Sequence, residues 1–271
     1  MAGVSSKSLA AALESLEPKL GTASIALAQD LFAILELLDS NAGLRRALTD
    51  PTRDGAEKAV LVNNLLAGKV GASAQAVFVE LVASRWSSAR DLGDALEVLA
   101  ATSAIAVAEG QGGGSANLDK LEEELFTFIR VVGSSHELQR ALDDAQASKA
   151  AKGALALRVV PQADDVAALL IRQAVAAPAG LKPTALVQRF VELVAKRQQR
   201  WIAYVSVTRD LSAEQLNRLQ AGLNNLYGRD LKINVNIDST LVGGIKVVVG
   251  DEVVDATAAS RLSDLRRRLA V

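Results

Sequence analysis

The stretch that decides the fold of this chain is LVGGIKVVVGDEVVD, residues 241–255. Gly243 and Gly244 lead into an apolar run, a pattern typical of an inner strand that begins with a bulge or a close backbone approach. Gly250 and Asp251 then separate two apolar runs, and a two-residue turn in which glycine supplies a positive φ is typical of a β-hairpin. The stretch therefore predicts two antiparallel strands in which Val247, Val249 and Val254 are buried.

The residues before this hairpin predict the rest of a small α+β domain. WIAYVSV (201–207) is rich in β-forming residues, and KINVNID (232–238) alternates, with Ile233, Val235 and Ile237 on one face. The segment between them predicts a helix that Ser212 and Gln215 begin with a capping box and that Gly228 ends. The apolar stripe of this helix comprises Leu216, Leu219, Leu223 and Leu226.

The residues after the hairpin predict a second helix over 257–269. Asp255 or Thr257 is placed to cap it, and its leucines Leu262, Leu265 and Leu269 would face the sheet. The basic run 266–268 falls in the last turn, where cations complement the helix dipole. A solvated helix end is the simpler interpretation of this run, and a docking surface for an acidic partner is the alternative.

Upstream of residue 200 the pattern is helical and duplicated. LRRALTD (44–50) returns as LQRALDD (138–144), an offset of 94 residues, whereas FVELVASR (78–85) and FVELVAKR (190–197) differ by 112. The two offsets exclude one another in a simple repeat, and we attribute the larger one to chance in a chain rich in Ala, Leu and Val.

The segment EGQGGGSAN (109–117) is interpreted as a flexible linker, because it follows a helix-like segment and lacks the G-x-G-x-x-G spacing of a dinucleotide loop. The predicted fold is mainly α with a C-terminal α+β domain: tandem helical bundles followed by a small sheet with two helices. The predicted boundaries are 1–108 for the first bundle, 109–117 for the linker, 118–199 for the second bundle and 200–271 for the α+β domain.

Composition excludes several classes of function. Thirty basic and 31 acidic residues nearly cancel and only 3% of the 271 residues are aromatic, which disfavours a nucleic-acid-binding protein. Cysteine is absent, and the single histidine, His136, lies where Ser134 or Ser135 would cap a helix. Neither a nucleophile elbow nor a phosphate-binding loop occurs, so the sequence predicts no catalytic residue, no metal ligand and no cofactor. The longest apolar run, 98–108, is shorter than the roughly 20 residues of a membrane-spanning helix.

The stretch DSTLVGGIKVVVGDEVVDATAASRLSDLRRRL resembles the C-terminal signature of the δ subunit of F-type ATP synthases, called OSCP in mitochondria. The matching residues are Asp238, Leu241, Gly243, Gly244, Gly250, Asp251 and Asp255. One departure is Ala256-Thr257, where the family usually has Gly-Ser. The duplicated helical part is similar to the enlarged actinobacterial form of this subunit.

This resemblance implies a non-catalytic stator subunit. Its helical domain would hold the N-terminal segments of α subunits, and its C-terminal domain would hold the distal end of the peripheral-stalk b subunit. The subunit would lie on the cytoplasmic face of the cell membrane as a peripheral part of the complex, without membrane insertion and without a nucleic-acid partner. The alternative from a different class is a helical adaptor whose α+β domain binds nucleic acid.

Overall fold

A computed structural model describes residues 3–177, 180–228, 231–238, 241, 243–250 and 252–257. The chain divides into two compact units, Met1–Val194 and Ala195–Val271. The first is helical and the second carries a small mixed sheet, which confirms the predicted fold class. The second unit begins five residues before the predicted boundary at 200, inside a helix.

The helical unit is built from short and medium helices with polar side chains at many of their starts. The helices are α1 Val4–Leu20, α2 Ile25–Ser40, α3 Ala42–Thr49, α4 Gly55–Leu66, α5 Ala72–Ala83, α6 Ala89–Gly110, α7 Ser115–Gly133, α8 His136–Asp143, α9 Lys149–Val159, α10 Asp165–Ala176 and α11 Pro183–Gln198, the last of which ends in the second unit. Asn41, Ser88 and Ser135 accept hydrogen bonds from backbone N–H groups in the first turns of α3, α6 and α8. These caps satisfy donors that a helix start leaves without an intrahelical partner.

The core of this unit is aliphatic and lies around α6. On α2, a stripe of apolar residues at helical spacing is buried: Leu27, Leu31, Ile34 and Leu38. Along α6, thirteen of 22 residues are buried, and many of them are alanine. Small side chains let neighbouring helices approach closely, so a helix can be enclosed on several sides without large aromatic residues.

The order of the helices recurs with the offset seen in the sequence. Ala42 begins α3 and His136 begins α8, 94 residues later, and the same offset separates the starts of α4 and α9 and of α6 and α11. Val4, where α1 begins, corresponds to residue 98, inside α6. FVELVASR lies in and just after α5, and FVELVAKR lies in α11, so the two matching segments do not occupy equivalent helices.

The segment predicted as a linker contributes to two helices. Glu109 and Gly110 end α6, residues 111–114 form a turn, and Ser115 begins α7. The Asn117 side chain donates a hydrogen bond of 3.1 Å to the backbone oxygen of Ala108 across this turn. The two series of helices related by the offset of 94 meet inside α6, whereas the sequence predicts their boundary at residues 109–117. The predicted flexibility of residues 109–117 stays a prediction.

The second unit contains a four-stranded sheet and one helix among its described residues. After a 3-10 turn at Gln199–Trp201, its elements are β1 Ile202–Val207, α12 Ala213–Tyr227, β2 Lys232–Ile237, β3 Gly244–Val249 and β4 Glu252–Thr257. The strand order is β2-β1-β3-β4; β1 and β2 are parallel, and the other neighbours are antiparallel. A crossover through α12 joins the parallel pair, as such a pair requires.

The start and end of α12 confirm the sequence prediction, but one residue of its stripe is wrong. Ser212 and Gln215 form the capping box, and Gly228 ends the helix with a φ of 65°. Leu223 is buried and Leu219 packs against the sheet, but Leu226 is 67% exposed. Tyr227 packs against the core instead, because the helix turns position 227 rather than 226 toward the sheet.

The burial predicted for the hairpin is correct for two valines and wrong for the third. Val247 and Val249 are buried, whereas Val254 is 41% exposed. The cause is strand order: β3 lies inside the sheet beneath the side chains of α12, whereas β4 is an edge strand. Val235 and Ile237, on the opposite edge strand, are exposed for the same reason.

The expected cap of the last helix falls at the end of β4. Asp255 lies within β4 and pairs in register with Lys246, and its role as a cap stays a prediction. Thr257 is the last residue of the same strand. The predicted helix 257–269 and its leucines Leu262, Leu265 and Leu269 lie outside the described residues beyond Thr257.

Candidate functional site

Most of the signature residues that the structure describes gather at one end of the sheet. The backbone N–H of Asp238 donates to the oxygen of Val207 at 2.8 Å, which extends the pairing of β1 and β2 by one residue. The N–H of Leu241 donates to the oxygen of Asp238 at 3.3 Å, and Gly244 pairs with Thr257. The signature therefore includes the connection from edge strand β2 to inner strand β3.

The two glycines of this connection have backbone angles that side chains rarely adopt. The φ angles are 152° at Gly243 and 90° at Gly244. Glycine reaches this region without steric cost, whereas a Cβ atom disfavours it. Their presence allows the chain to turn sharply as it enters β3. Asp255 lies near this end, opposite Lys246.

Gly250 lies at the other end of the sheet, in the turn between β3 and β4. Val249 pairs with Glu252, which confirms the predicted two-residue turn, and Gly250 has a φ of 59°. A Cβ atom at this position would lie 3.1 Å from Cγ of Arg200. Alanine at this position would adopt a strained φ, and its Cβ atom would also crowd the Arg200 side chain. Asp251 lies outside the described residues.

The sheet presents apolar side chains to solvent on both faces. Tyr204, Val248 and Val253 are directly opposite one another on β1, β3 and β4, and we call these three residues the apolar row. Tyr204 is 48% exposed and Val253 57% exposed. Because side chains alternate along a strand, the row lies on the face opposite Val205, which packs in the buried core. Ile237 and Val254 are exposed at the two edges of the core-side face.

Sequence reasoning missed the apolar row. The three residues lie in three strands and meet only through the strand order, which the sequence did not provide. The available signal was Tyr204 itself, one of two tyrosines in the chain, in the strand segment 201–207. A cluster of exposed aromatic and aliphatic side chains is typical of a binding surface.

The helical unit contains a cleft of about 540 Å³ between α2 and α5. Its walls include Ala26 and Leu27 on α2 and Ala76 and Val77 on α5. The Asp30 carboxylate accepts a hydrogen bond of 2.8 Å from the backbone N–H that precedes α5, which holds the two helices together at this point. Small and apolar walls of this kind can accept one face of a helix.

A second cleft in this unit, of about 800 Å³, contains the buried side chain of Glu97. Burial, and next the nearby carboxylate of Asp94, raise the pKa of Glu97 from 4.5 to about 7, with a further contribution from Asp39. The cations Arg189 and Arg90 act in the opposite direction. Glu97 therefore carries a proton over most of the range below neutral pH.

The comparisons with known proteins agree with the resemblance. The family model described as ATP synthase delta (OSCP) subunit matches residues 100–269. The chain belongs to the ATP synthase delta (OSCP) family. It is 61% identical to the ATP synthase subunit delta of Pseudarthrobacter chlorophenolicus and 56% identical to that of Renibacterium salmoninarum, with all of both chains covered in each case. The same subunit of Streptomyces coelicolor is 39% identical over all of this chain and 98% of its own length.

Among solved structures, a chain of the cryo-EM structure of the Toxoplasma gondii mitochondrial ATP synthase hexamer is similar to 63% of this chain and covers 96% of its own. Its TM-score is 0.34 and its sequence identity 20%. A likeness at this level adds nothing to the family assignment.

Family membership fixes the class of function. A delta (OSCP) subunit is a structural, non-catalytic part of the ATP synthase stator and a peripheral member of the complex. His136 fits this role, since it is exposed in the first turn of α8, where Ser135 accepts a hydrogen bond from the N–H of Leu138. Over the described ranges, none of the helices is both long enough and apolar enough to cross a bilayer.

Proposed function

We propose that this delta subunit ties the catalytic head to the peripheral stalk through two separate contacts. The helical unit holds N-terminal segments of α subunits, and the C-terminal unit holds the distal end of b, on the cytoplasmic face of the membrane. Of the signature residues, Asp238, Leu241, Gly243, Gly244 and Gly250 shape the turns of the sheet that makes the b contact, and Asp255 lies in its edge strand. Asp251 lies outside the described residues. The nucleic-acid-binding adaptor is not favoured, because the full-length relatives are delta subunits.

The observation that carries the b contact is the distribution of exposed apolar side chains. Six of the eight large apolar residues that are exposed in the described part of the chain belong to the C-terminal unit: Tyr204, Leu226, Val235, Ile237, Val253 and Val254. A sheet of four short strands that leaves such residues in water gains free energy when a partner covers them. The stalk helix is the partner that the family role provides.

The α contact is supported by the α2–α5 cleft and by the general way in which helices bind. An amphipathic segment that lays its apolar face into a groove buries a large area without any change in the fold of the host. Two contacts on two units suit a static tether, because torque on the head must be opposed by the stalk if proton flow is to remain coupled to synthesis.

The test uses a soluble b fragment, an α N-terminal peptide and the full-length subunit. We expect the double variant Ile237→Asn, Val253→Asn to bind b at least about tenfold more weakly, since a buried apolar contact at an interface contributes about 1 kcal/mol or more. Binding of the α peptide should not change. Val60→Asn is the matched control, because Val60 is 59% exposed on α4 of the helical unit. Loss of α binding with b binding intact would show that the two contacts are reversed.

A further inference from the structure

A third cleft, at the start of α4, contains a lysine whose environment the stator role does not explain. The cleft has a volume of about 480 Å³ and lies between residues 49–58 and 83–87, with Val4 at its margin. Lys58 lines it and is only 5% exposed. In the described part of the chain, its side chain makes neither a hydrogen bond nor an ion pair. The residue is buried as a whole, but its ammonium nitrogen remains accessible, so its three donors are available to a ligand in the cleft.

Two further cations line the same cleft. Arg53 and Arg85 both border it, and neither makes an ion pair with a described residue. The carboxylates nearby already have other donors: Asp54 accepts from the N–H of Gly55 at 2.7 Å, and Asp50 accepts from the N–H and hydroxyl of Thr52 at 2.9 and 2.7 Å.

None of the three cations forms an ion pair with either carboxylate. Hydrogen bonds from Thr52, and to a smaller extent the nearby charges of Arg53 and Lys58, lower the pKa of Asp50. The positive end of the α4 dipole also contributes positive potential to the cleft, because α4 begins at Gly55 in the cleft wall.

The walls of the cleft are held in place by specific contacts. The N–H of Trp86 Nε1 donates to the oxygen of Leu81 at 2.9 Å, and the hydroxyl of Ser8 donates to the oxygen of Arg85 at 2.7 Å. A Cβ atom on Gly55 would lie 3.3 Å from the oxygen of Ala83, so the start of α4 packs closely against the end of α5. The backbone around Lys58 is therefore preorganised, which lowers the cost of binding a small ligand.

We propose that this cleft binds a phosphate group, either as free phosphate or as a phosphate monoester. A phosphate carries a charge of about −1.5 to −2 near neutral pH and several acceptor oxygens, so that it can engage Lys58 and both arginines at once. A single carboxylate offers less charge and fewer acceptors. The inference goes beyond the stator function, and its test uses no partner subunit, so the two can fail independently.

The test is titration of the full-length chain with inorganic phosphate and, separately, with O-phosphoserine, followed by calorimetry and by thermal unfolding. Sodium chloride and sodium acetate at equal ionic strength are the reference anions. We expect binding of at least one phosphate probe, and the tighter probe identifies free phosphate or a monoester as the source. Binding of acetate as tight as that of phosphate, or phosphate effects equal to those of chloride, would overturn the proposal.

Substitutions locate the site. Lys58→Met keeps the apolar stem and removes the charge, and we expect phosphate affinity to fall about tenfold or more, as for loss of a hydrogen bond to a charged group. Lys152→Met is the matched control, because Lys152 occupies the equivalent position on α9 at the offset of 94, where residue 147, equivalent to Arg53, is alanine. Equal affinities in the two variants would contradict the assignment.

A second variant covers the case in which Lys58→Met fails to fold. Arg53 and Arg85 are exposed, so Arg53→Gln and Arg85→Gln should leave the fold intact. Each should weaken phosphate binding about two- to fivefold, as expected of exposed charge pairs. The double variant should retain the thermal stability of the native chain without phosphate and lose most of its response to phosphate. An unchanged response would overturn the proposal.

Discussion

The two units of this subunit bury their large apolar side chains to different extents. The helical unit Met1–Val194 encloses its large residues, including Phe78, Phe128 and Phe190, and only two of its described large apolar side chains, Val4 and Val60, are exposed. The C-terminal unit has a buried cluster of seven described residues and exposes six large apolar side chains.

The difference shows which unit depends more on a partner. Hydrophobic stabilisation follows the apolar area removed from water, and a small unit buries a smaller fraction of its surface. We therefore expect the helical unit to be stable alone and the C-terminal unit to be only marginally stable until a partner covers its exposed apolar side chains. Four pairs of substitutions test this contrast: three pairs lie within one unit, and the last compares the two units.

The largest effect is expected from Phe128→Ala in α7. Phe128 is fully buried, and replacing a buried phenylalanine with alanine costs about 3–5 kcal/mol. Denaturant unfolding followed by helical circular dichroism measures the loss. Phe126→Ala, in the same helix at a half-buried position, should cost less. Equal losses would mean that the helical core is not as tightly packed as the structure shows.

The second effect depends on pH and concerns Glu97→Gln. Because burial raises the pKa of Glu97 to about 7, the folded state holds the proton more tightly than the unfolded state. Stability is therefore lost as pH rises from about 4.5 through 7, by on the order of 3 kcal/mol. The variant lacks this loss, so it should be more stable than the native chain at pH 8 and similar to it at pH 4.

Glu80→Gln provides a control of opposite sign. A hydrogen bond from Ser15, and next the ammonium of Lys19, lower the pKa of Glu80. Its stabilising effect is therefore present above the ordinary glutamate pKa and is lost as pH falls. The pair is solvent-exposed, so the loss at neutral pH should be less than about 1 kcal/mol. A pH dependence of the same sign in both variants would contradict the environments described for the two carboxylates.

The third effect concerns the C-terminal unit and compares two glycines. Gly250 has a φ of 59°, and a Cβ atom added there would lie 3.1 Å from the Arg200 side chain, whereas Gly228 has a φ of 65° and open space around it. Gly228→Ala should cost about 1 kcal/mol for the left-handed backbone alone, and Gly250→Ala about 2 kcal/mol or more. Proteolysis of this unit, monitored by mass spectrometry, ranks the two variants. The reverse order would show that Arg200 moves away freely.

The smallest effect is expected from the cap of α12. Ser212→Ala removes the capping box and should destabilise the C-terminal unit by about 1 kcal/mol. Ser148→Ala removes a comparable cap from α9 of the helical unit. If the C-terminal unit is less stable than the helical unit, only Ser212→Ala should increase hydrogen exchange throughout its unit. Equal increases in the two units would contradict this difference in stability.

Local chemistry made much of this fold predictable. The capping box at Ser212 and the glycine turn at Gly250 depend on residues a few positions apart, and both were correct. Leu226 and Val254 were assigned to the core and are exposed, because their burial depends on helix rotation and strand order. For the same reason, the sequence did not predict the apolar row or the sites around Glu97 and Lys58. The residues of these sites are far apart along the chain and meet only in the fold.

The central helix α6 has a mechanical consequence. Its first half corresponds to α11 and its second half to α1, so both series of helices share one continuous rod of roughly 33 Å, as 22 residues at 1.5 Å each give. A shared rod resists twisting of one half against the other far better than a chain of separate segments would. Under torque from the rotor, the helical unit should therefore transmit force with little elastic deformation.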